Sequence, residues 1–313
     1  MALTLLEASK IDDGDVKRQA IIQMFAENSD ILRVLPFEDI QGGSLSYNVE
    51  GTLPGVAFRG FNEAYAESVG VINPATETLR IAGGDLDVDK ALIKTRGEGV
   101  RSTHEAMKVK ALSLHLAGKI INGDSATQPR EFDGFRVRIT GDQLMDHAGN
   151  QGAASTTNGA LSLGALDKAI DNVDDPTHMV MSKAMRRKLT AAARTTTVGG
   201  DVTFVLNEFG KRVTMYNEIP ILIADYDDLG ARIIDFDEAG PAGGVVSTSV
   251  YIGSFGTGKL TGLQNGGMEV NDLGEIDSAP VLRTRIEWLV GMAVMHGRSL
   301  ARVWGITDVA AVS

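Results

Sequence analysis

The sequence contains no cysteine. Disulfide bonds, zinc–thiolate sites and thiol catalysis are therefore excluded, and a reducing cytoplasm is the expected environment. Long hydrophobic runs are also missing, since no stretch approaches the ~18 uninterrupted apolar residues of a membrane-spanning helix. The N-terminal residues have no basic segment followed by a long apolar run, so no signal peptide is predicted.

Aromatic residues are scarce at 5% of the chain, whereas glycines number 36. This balance predicts numerous turns, bulges and close backbone approaches. The formal net charge is −11, and the acidic residues are spread along the chain. Such a surface repels polyphosphate at long range, which argues against a dedicated nucleic-acid-binding protein. The 313 residues, 43% of them hydrophobic, suffice for one large domain or two modest ones with a buried core.

The segment YIGSFGTGKLTG, residues 251–262, resembles the phosphate-binding loop of nucleotide hydrolases. Such a loop needs Ser or Thr directly after its lysine to hold Mg²⁺, and a helix whose N-terminus receives the phosphates. Here Lys259 is followed by Leu260, and the next residues have no helical periodicity. We therefore predict a glycine-rich turn between two strands, with nucleotide hydrolysis as the less favoured alternative.

The segment GGDLDVDK resembles the start of a calcium-binding loop. Such a loop requires Gly at its sixth position and Glu at its twelfth, but the sequence has Lys90 and Arg96 there. The favoured interpretation is a strand that shows the carboxylates of Asp85, Asp87 and Asp89 on one face. A weak ion site shared with a neighbouring chain is the alternative.

The other chemically reactive residue types form no catalytic arrangement. His104 and His115 lie about three turns apart on one predicted helix, too far for a shared metal ion. Neither an HExxH motif nor a Gly-x-Ser-x-Gly elbow occurs. The basic residues 186–188 with Arg194 are interpreted as a solvated helix face or as inter-subunit ion pairs. We therefore predict no enzyme activity, no cofactor and no metal site.

Hydrophobic periodicity predicts an α+β chain that contains helices, strands and one long hairpin-like segment. A short helix is predicted over residues 15–27, and the strongest helix signal covers residues 102–122, with Ser102 and Glu105 as a capping box and Met107 in its apolar stripe. Residues 45–90 are predicted to form a long hairpin-like excursion that is too poor in aliphatic side chains to pack on itself. FDGFRVRI is predicted to be a strand. Later helices and strands alternate as in an α/β domain, followed by long closing strands.

Five segments carry a family resemblance: QMFAENSDILRVLPFEDIQGGSLSYNVEG, AFRGFNEAYAES, HMVMSKAMRRKLTAAAR, VYIGSFGTGKLTG and VLRTRIEWLVGMAVMHGRSLARVWGI. In their order they resemble the arm, extended loop, axial domain, domain exit and closing strands of tailed-bacteriophage major capsid proteins. Encapsulin shells share this fold, which is named after phage Hong Kong ninety-seven. The resemblance implies an N-terminal arm at 1–44, an extended loop hairpin at 45–90, a peripheral domain at 91–159 with the spine helix at 102–122, an axial domain at 160–254 and closing peripheral strands at 255–313.

The resemblance implies a protein that self-assembles into an icosahedral shell of pentamers and hexamers around double-stranded DNA. The implied partners are further copies of the chain, a separate scaffolding protein, a portal protein, a cement or decoration protein and, without specificity, the packaged DNA; no membrane is involved. The implied location is the virion capsid, with assembly in the host bacterial cytoplasm. An encapsulin shell, or a phage tail or decoration protein, is the alternative.

Two departures from the family's founding member modify this expectation. That protein forms a covalent bond to a neighbouring subunit through a lysine of its extended loop, whereas residues 45–85 here contain no lysine. We therefore expect non-covalent contacts or a cementing protein to hold the shell. The founding member's fused N-terminal scaffolding region also has no counterpart before the arm, so any scaffold is expected to be a separate protein.

Charged residues on the loop and on a closing strand are the predicted inter-subunit contacts. On the loop, charge on a segment that cannot fold alone points to ion pairs with a neighbouring subunit. In VLRTRIEWLV, apolar and charged residues alternate, so the charged side chains share the solvent face of a strand. The predicted contact residues are Arg59, Glu63, Glu67, Arg80, Arg283, Arg285 and Glu287.

Overall fold

The fold is built from two mixed sheets, a projecting hairpin and one long helix. The computed structural model describes residues 3–4, 29–97, 99–192, 202–206, 212–277 and 279–312. The predicted helix at residues 15–27 lies outside the described residues. None of the helices in the described ranges is long and apolar enough to cross a membrane.

The described helices and strands have the following bounds. The helices are α1 (Asp30–Val34), α2 (Lys90–Arg96), α3 (Gly99–Asn122), α4 (Phe135–Arg138), α5 (Leu163–Asp171) and α6 (Lys183–Ala192). The strands are β1 (Leu3–Thr4), β2 (Pro36–Asp39), β3 (Ser44–Thr52), β4 (Val71–Thr78), β5 (Arg80–Asp89), β6 (Leu144–Asp146), β7 (His178–Met181), β8 (Val202–Leu206), β9 (Arg212–Tyr216), β10 (Ile219–Ile223), β11 (Glu238–Ala239), β12 (Val245–Gly253), β13 (Leu260–Glu275), β14 (Val281–Val294) and β15 (Leu300–Thr307).

The first sheet has the strand order β1-β2-β13-β14-β5. Strands β13 and β14 form a long antiparallel hairpin, and β5 runs antiparallel along the other edge of β14. The predicted alternation along β14 is confirmed, because Thr284, Ile286, Trp288 and Val290 are buried between more exposed neighbours. Phe37 of β2 packs against Trp288 with a centroid separation of 5.0 Å, which closes the core at that end of the sheet.

The second sheet follows the order β6-β15-β12-β7-β10-β9-β8, with β11 paired to β12. Helices α5 and α6 contribute Leu166, Ile170, Met185 and Leu189 to the apolar cluster of this sheet. Strand β15 is antiparallel to β12 and parallel to β6. The last described strand therefore pairs with the second sheet, and the expected domain bounds, including the closing strands at 255–313, remain a prediction.

Helix α3 differs in two ways from the predicted spine helix. It begins at Gly99, so Ser102 is inside the first turn and its hydroxyl donates to the carbonyl of Gly99 at 3.0 Å. The predicted capping box is wrong, because Glu105 is buried and accepts a hydrogen bond of 2.9 Å from the hydroxyl of Thr284 on β14. Met107, predicted to lie on the apolar stripe, is exposed. The predicted end at Asn122 is confirmed.

Two further segments depart from the sequence predictions. FDGFRVRI forms no strand: it contains the short helix α4, in which the Arg138 amide donates to the carbonyl of Gly134 at 3.2 Å. The predicted excursion at residues 45–90 includes β5, which pairs with β14 from Arg80 to Asp89. The part that stands away from the sheets is the two-stranded hairpin of β3 and β4.

Candidate assembly surface

The hairpin of β3 and β4 ends in an exposed loop, residues 53–70, which we call the tip. The two strands pair from Ser44 opposite Thr78 to Thr52 opposite Val71. Nearly every residue of the tip is exposed, and the phenyl rings of Phe58 and Phe61 are fully so, at 107% and 103%. The large apolar side chains that the tip exposes are Leu53, Val56, Phe58, Phe61, Tyr65 and Val69.

Short-range polar contacts give the tip a defined shape without a core. The Arg59 guanidinium donates to the carbonyl of Glu63 at 3.1 Å and lies 5.2 Å from the ring centre of Tyr65. The Gly60 amide donates to the Glu63 carboxylate at 2.8 Å, and the Ser68 hydroxyl donates to the carbonyl of Gly55 at 2.9 Å. The tip is therefore folded locally while its apolar side chains face outward.

A buried polar cluster fixes the base of the hairpin. Arg138 donates to both carboxylate oxygens of Glu77, at 2.8 Å for the Nη2–Oε2 contact, and to the carbonyl of Met292 at 3.1 Å. The Tyr47 hydroxyl lies 3.3 Å from Glu77 Oε1 and 3.2 Å from the carbonyl oxygen of Val294. Both hairpin strands are thus tied to α4 and β14.

Electrostatics within this base cluster favour the charged pair. Burial, together with the nearby charge of Glu77, raises the pKa of Tyr47 to about 12. Burial alone would lower the pKa of Arg138, but its hydrogen bond to Glu77 raises that pKa above the ordinary value. Arg138 is therefore charged and Tyr47 is neutral at physiological pH, so the cluster consists of one ion pair and one neutral donor.

The solvent face of the first sheet carries two bidentate ion pairs. Arg285 donates to both oxygens of Asp85 at 2.7 and 2.9 Å, and Arg283 donates to both oxygens of Asp87 at 2.7 and 2.6 Å. These hydrogen bonds hold the pKa values of both carboxyl groups below their ordinary value. The predicted acidic face of a strand is confirmed, and the side chain of Asp89 instead accepts from the Ala91 amide as the N-cap of α2.

The structure brings some of the predicted contact residues together within one chain and separates others. Arg59 and Glu63 meet in the tip, and exposed Glu67 has no side-chain partner in the described part of the chain. Arg283 and Arg285 pair with aspartates of β5, whereas Glu287 is exposed on the same face. Arg80 lies away from the tip, at the start of β5. The role of all seven residues between subunits remains a prediction; they are Arg59, Glu63, Glu67, Arg80, Arg283, Arg285 and Glu287.

The segment that resembles a phosphate loop is a turn, as predicted. It joins β12 to β13, and no helix follows it. Lys259 donates to the carboxylate of Asp175 at 2.8 Å, so its ammonium is used in an ion pair between loops. Among the described residues, no group of three or more His, Asp or Glu side chains could hold a metal ion.

Sequence reasoning missed the apolar character of the tip and the cluster at the base of the hairpin. A signal for the tip was present, because Phe58, Phe61 and Tyr65 fall close together in a chain with only 5% aromatic residues. No sequence signal pointed to the base, because Glu77 and Arg138 are 61 residues apart and belong to two different predicted segments, the excursion at residues 45–90 and the strand FDGFRVRI.

The chain is similar to known shell proteins. Residues 13–162 match the family model described as major capsid protein GP7. No curated protein sequence matches the chain.

Solved structures give matches over most of the chain. The holo-SrpI encapsulin complex from Synechococcus elongatus PCC 7942 matches 100% of this chain and 99% of its own, at 15% identity and a TM-score of 0.63. The capsid of the native GTA particle matches 88% of this chain and 90% of its own, at 13% identity and a TM-score of 0.60. A chain of Mycobacterium phage Cain matches 88% of this chain and 89% of its own, at 12% identity and a TM-score of 0.60.

The matched part of the family model includes the N-terminal segment, the hairpin and helix α3. The structural matches extend across both sheets. The chain is therefore similar to phage major capsid proteins and has the Hong Kong ninety-seven-type fold that they share with encapsulins.

Proposed function

We propose that this protein is the major capsid protein of a tailed bacteriophage, and that it self-assembles through its hairpin into an icosahedral shell of pentamers and hexamers. The observation that carries the proposal is the tip, which is ordered by its own hydrogen bonds yet exposes two complete phenyl rings. An apolar surface of this kind usually marks a contact with another molecule. The capsid family match and the shell neighbours support further copies of the chain as that molecule.

Burial of the tip would supply the free energy of assembly. Covering one phenyl ring is favourable by about 2 kcal/mol, so each docked tip has two strong anchors in Phe58 and Phe61. Exposed ion pairs contribute only about 0–1 kcal/mol each. The charged residues of the tip therefore set the register of the contact more than its strength. They are Glu67, which has no described partner, and the paired Arg59 and Glu63.

The position of the hairpin would allow its tip to contact a neighbouring subunit. Its base is tied to α4 and β14 through Arg138 and Tyr47, while the tip contacts neither sheet core. A rigid base and an exposed end allow one subunit to place apolar side chains on the next, and such a head-to-tail contact closes into rings. Rings of five and six subunits would then form the shell.

The remaining partners belong to the same proposal. A separate scaffolding protein would guide assembly, a portal protein would occupy one vertex, and a cement or decoration protein would stabilise a shell that lacks a loop lysine for crosslinking. Double-stranded DNA would be packaged without specific contacts, as the net charge of −11 favours weak interaction with the genome. Assembly would take place in the host bacterial cytoplasm. In this role the protein has no enzymatic activity.

An encapsulin shell is the second candidate, because the encapsulin match covers 100% of this chain. Both functions require a closed shell that is built from copies of this chain, alone or with additional proteins. They differ in content, since a capsid encloses a genome and an encapsulin encloses a protein cargo.

The test is to express the chain and image the high-mass fraction by electron microscopy. Closed icosahedral particles, or free pentamers and hexamers, are expected. Nuclease-resistant DNA inside natively purified particles supports the capsid, and enclosed protein supports the encapsulin. Tubes or a small fixed oligomer would instead support a tail or decoration protein. A chain that stays monomeric in all salt conditions, with and without a candidate scaffolding protein, would contradict the proposal.

A further inference from the structure

A cavity of about 390 Å³ lies between strand β5 and helix α3. Its apolar floor is formed by Leu112, Leu116, Phe132 and Val290. The segment after α3 closes one side, and a loop that follows β10 reaches the mouth with Asp228. The cavity is therefore open, partly apolar and large enough to hold a small molecule or a single side chain.

Charge is distributed unevenly around this cavity. Lys119 pairs with Glu131 at 2.7 Å, and His115 contacts Asp228 at 3.0 Å, so both lining carboxylates already have partners. Arg80, Lys108 and Arg130 also line the cavity, and their side chains have no hydrogen bond or ion pair with any other described residue. A chain with a net charge of −11 thus leaves three cations together without a carboxylate in contact.

Two local features concern the surroundings of Arg80 and Lys108. The Nε atom of Arg80 is buried and has no hydrogen-bond partner, which costs free energy unless a ligand accepts from it. The ammonium of Lys108 lies directly over Gly84, where an added Cβ atom would approach Nζ to 2.8 Å. A larger residue at this place on the strand would make the flexible end of the Lys108 side chain shift.

From this arrangement we infer that the cavity between β5 and α3 is an anion-binding site that takes a carboxylate or phosphate group through Arg80, Lys108 and Arg130. Guanidinium and ammonium groups donate charge-assisted hydrogen bonds to such oxyanions. The apolar floor would hold the non-polar part of the molecule that carries the anionic group. The positive charge of Lys108 also helps to lower the pKa of Asp85, so the site is electrostatically coupled to the ion pairs on the solvent face of the first sheet.

The carboxylate or phosphate group that this cavity would bind can come from two sources. One is a free anion such as inorganic phosphate or citrate. The other is a glutamate on the tip of a second copy, because Glu63 and Glu67 are exposed beside Phe61 and Tyr65. The second source rests on the proposed function, whereas the first does not.

The experiment measures binding by isothermal titration calorimetry on the full chain in its purified form. The probes are sodium phosphate, sodium citrate and a synthetic peptide of residues 53–70, each at constant ionic strength. The test variants are Lys108→Gln, which removes one cation, and Gly84→Ala, which displaces that cation but keeps its charge. Lys94→Gln is the matched control, because Lys94 is exposed on α2 and does not line the cavity.

We expect at least one probe to bind the wild-type chain and the Lys94→Gln variant equally. Loss of one charge-assisted hydrogen bond should weaken binding about tenfold in Lys108→Gln, and Gly84→Ala should weaken it as well. Binding of phosphate or citrate alone identifies a free anion. Binding of the peptide, abolished when both of its glutamates are replaced by glutamine, identifies the second copy.

Three results would overturn the inference: no probe binds, Lys108→Gln binds as the wild type does, or Lys94→Gln weakens binding equally. Circular dichroism and thermal unfolding establish that each variant is folded before it is titrated. Electron microscopy of the same samples separates the two proposals. Intact shells from a chain that binds no probe contradict only the anion site, and a chain that binds phosphate but forms no shell contradicts only the proposed function.

Discussion

The Arg138 guanidinium on α4 binds both carboxylate oxygens of Glu77, the second-last residue of the hairpin strand β4. Both side chains are largely buried, at 13% and 19% exposure. Removal of one member of a buried ion pair leaves the other charge without compensation, which is costly. This pair therefore controls how firmly the hairpin is held against the first sheet.

Replacing Arg138 with Met should destabilise the protein by about 2–3 kcal/mol, less than for a fully buried pair because water still reaches these groups. Urea unfolding of the unassembled chain measures the loss. The double variant Arg138→Met with Glu77→Met should be more stable than the single variant, because no buried charge is left unpaired. Equal stability of the single and the double variant would contradict the role assigned to the pair.

Replacing Phe58 and Phe61 with Ser should abolish assembly and leave the unassembled chain as stable as the wild type. Both rings are fully exposed, so their removal changes the free energy of unfolding by no more than about 0.5 kcal/mol. Sedimentation velocity and urea unfolding measure the two properties. The control is Leu229→Ser, which removes another highly exposed apolar side chain outside the hairpin and should leave assembly intact. If the double variant formed normal shells, the tip would not be part of the assembly contact.

Replacing both Asp85 and Asp87 with Asn should destabilise the chain at neutral pH but not in acid. The hydrogen bonds from Arg285 and Arg283 lower the pKa of each carboxyl group from its ordinary value of 3.8. A group with a lowered folded-state pKa stabilises the fold above its unfolded pKa, and this contribution is lost as the pH falls through the folded-state pKa.

Thermal unfolding of both proteins between pH 7 and strong acid tests this dependence. The difference in Tm should be largest at pH 7 and should vanish below the lowered pKa values. Asp237→Asn is the control for the loss of one exposed carboxylate. A Tm difference that stays constant with pH would show that the ion pairs do not contribute through their charge.

Replacing Gly262 with Ala should destabilise the chain by about 1–3 kcal/mol, the usual cost of overpacking a core. A Cβ atom at this position on β13 would come within 2.6 Å of the Phe37 ring, which is itself fixed against Trp288. Gly43→Ala is the matched control, because nothing lies within 4 Å of its added Cβ. Phe37→Leu should partly rescue Gly262→Ala, and an unchanged unfolding free energy in Gly262→Ala alone would contradict the close packing of β2 on β13.

Local sequence patterns were sufficient for much of the secondary structure. Alternating side chains predicted β14, and the end of α3 at Asn122 was correct because Gly123 follows it. The turn before Leu260 was also correct, since it depends on glycine content and on the absence of a helical pattern. Each of these features depends on neighbours within a few residues, which is the range over which the backbone responds to its own side chains.

The failures arose where distant segments meet. Ser102 and Glu105 have the spacing of a capping box, but the hydroxyl of Thr284 and the guanidinium of Arg101 hold Glu105 in the interior. FDGFRVRI alternates like a strand, yet it contains the short helix α4, whose Arg138 binds Glu77 of the hairpin. In both segments the structure has a largely buried ionic contact that the local pattern does not indicate.

The order of its segments by itself indicated the resemblance to a shell subunit, and local periodicity and turn residues predicted the end of the long helix α3 and the strand β14. Only the tertiary structure decided which charges are already satisfied within one subunit. Arg283 and Arg285 are paired with aspartates of β5, whereas Arg80, Lys108 and Arg130 meet at a cavity without a described partner. The physical reason is that an ion pair or a cavity depends on distances between residues far apart in the chain, and those distances exist only after the sheets and α3 have packed.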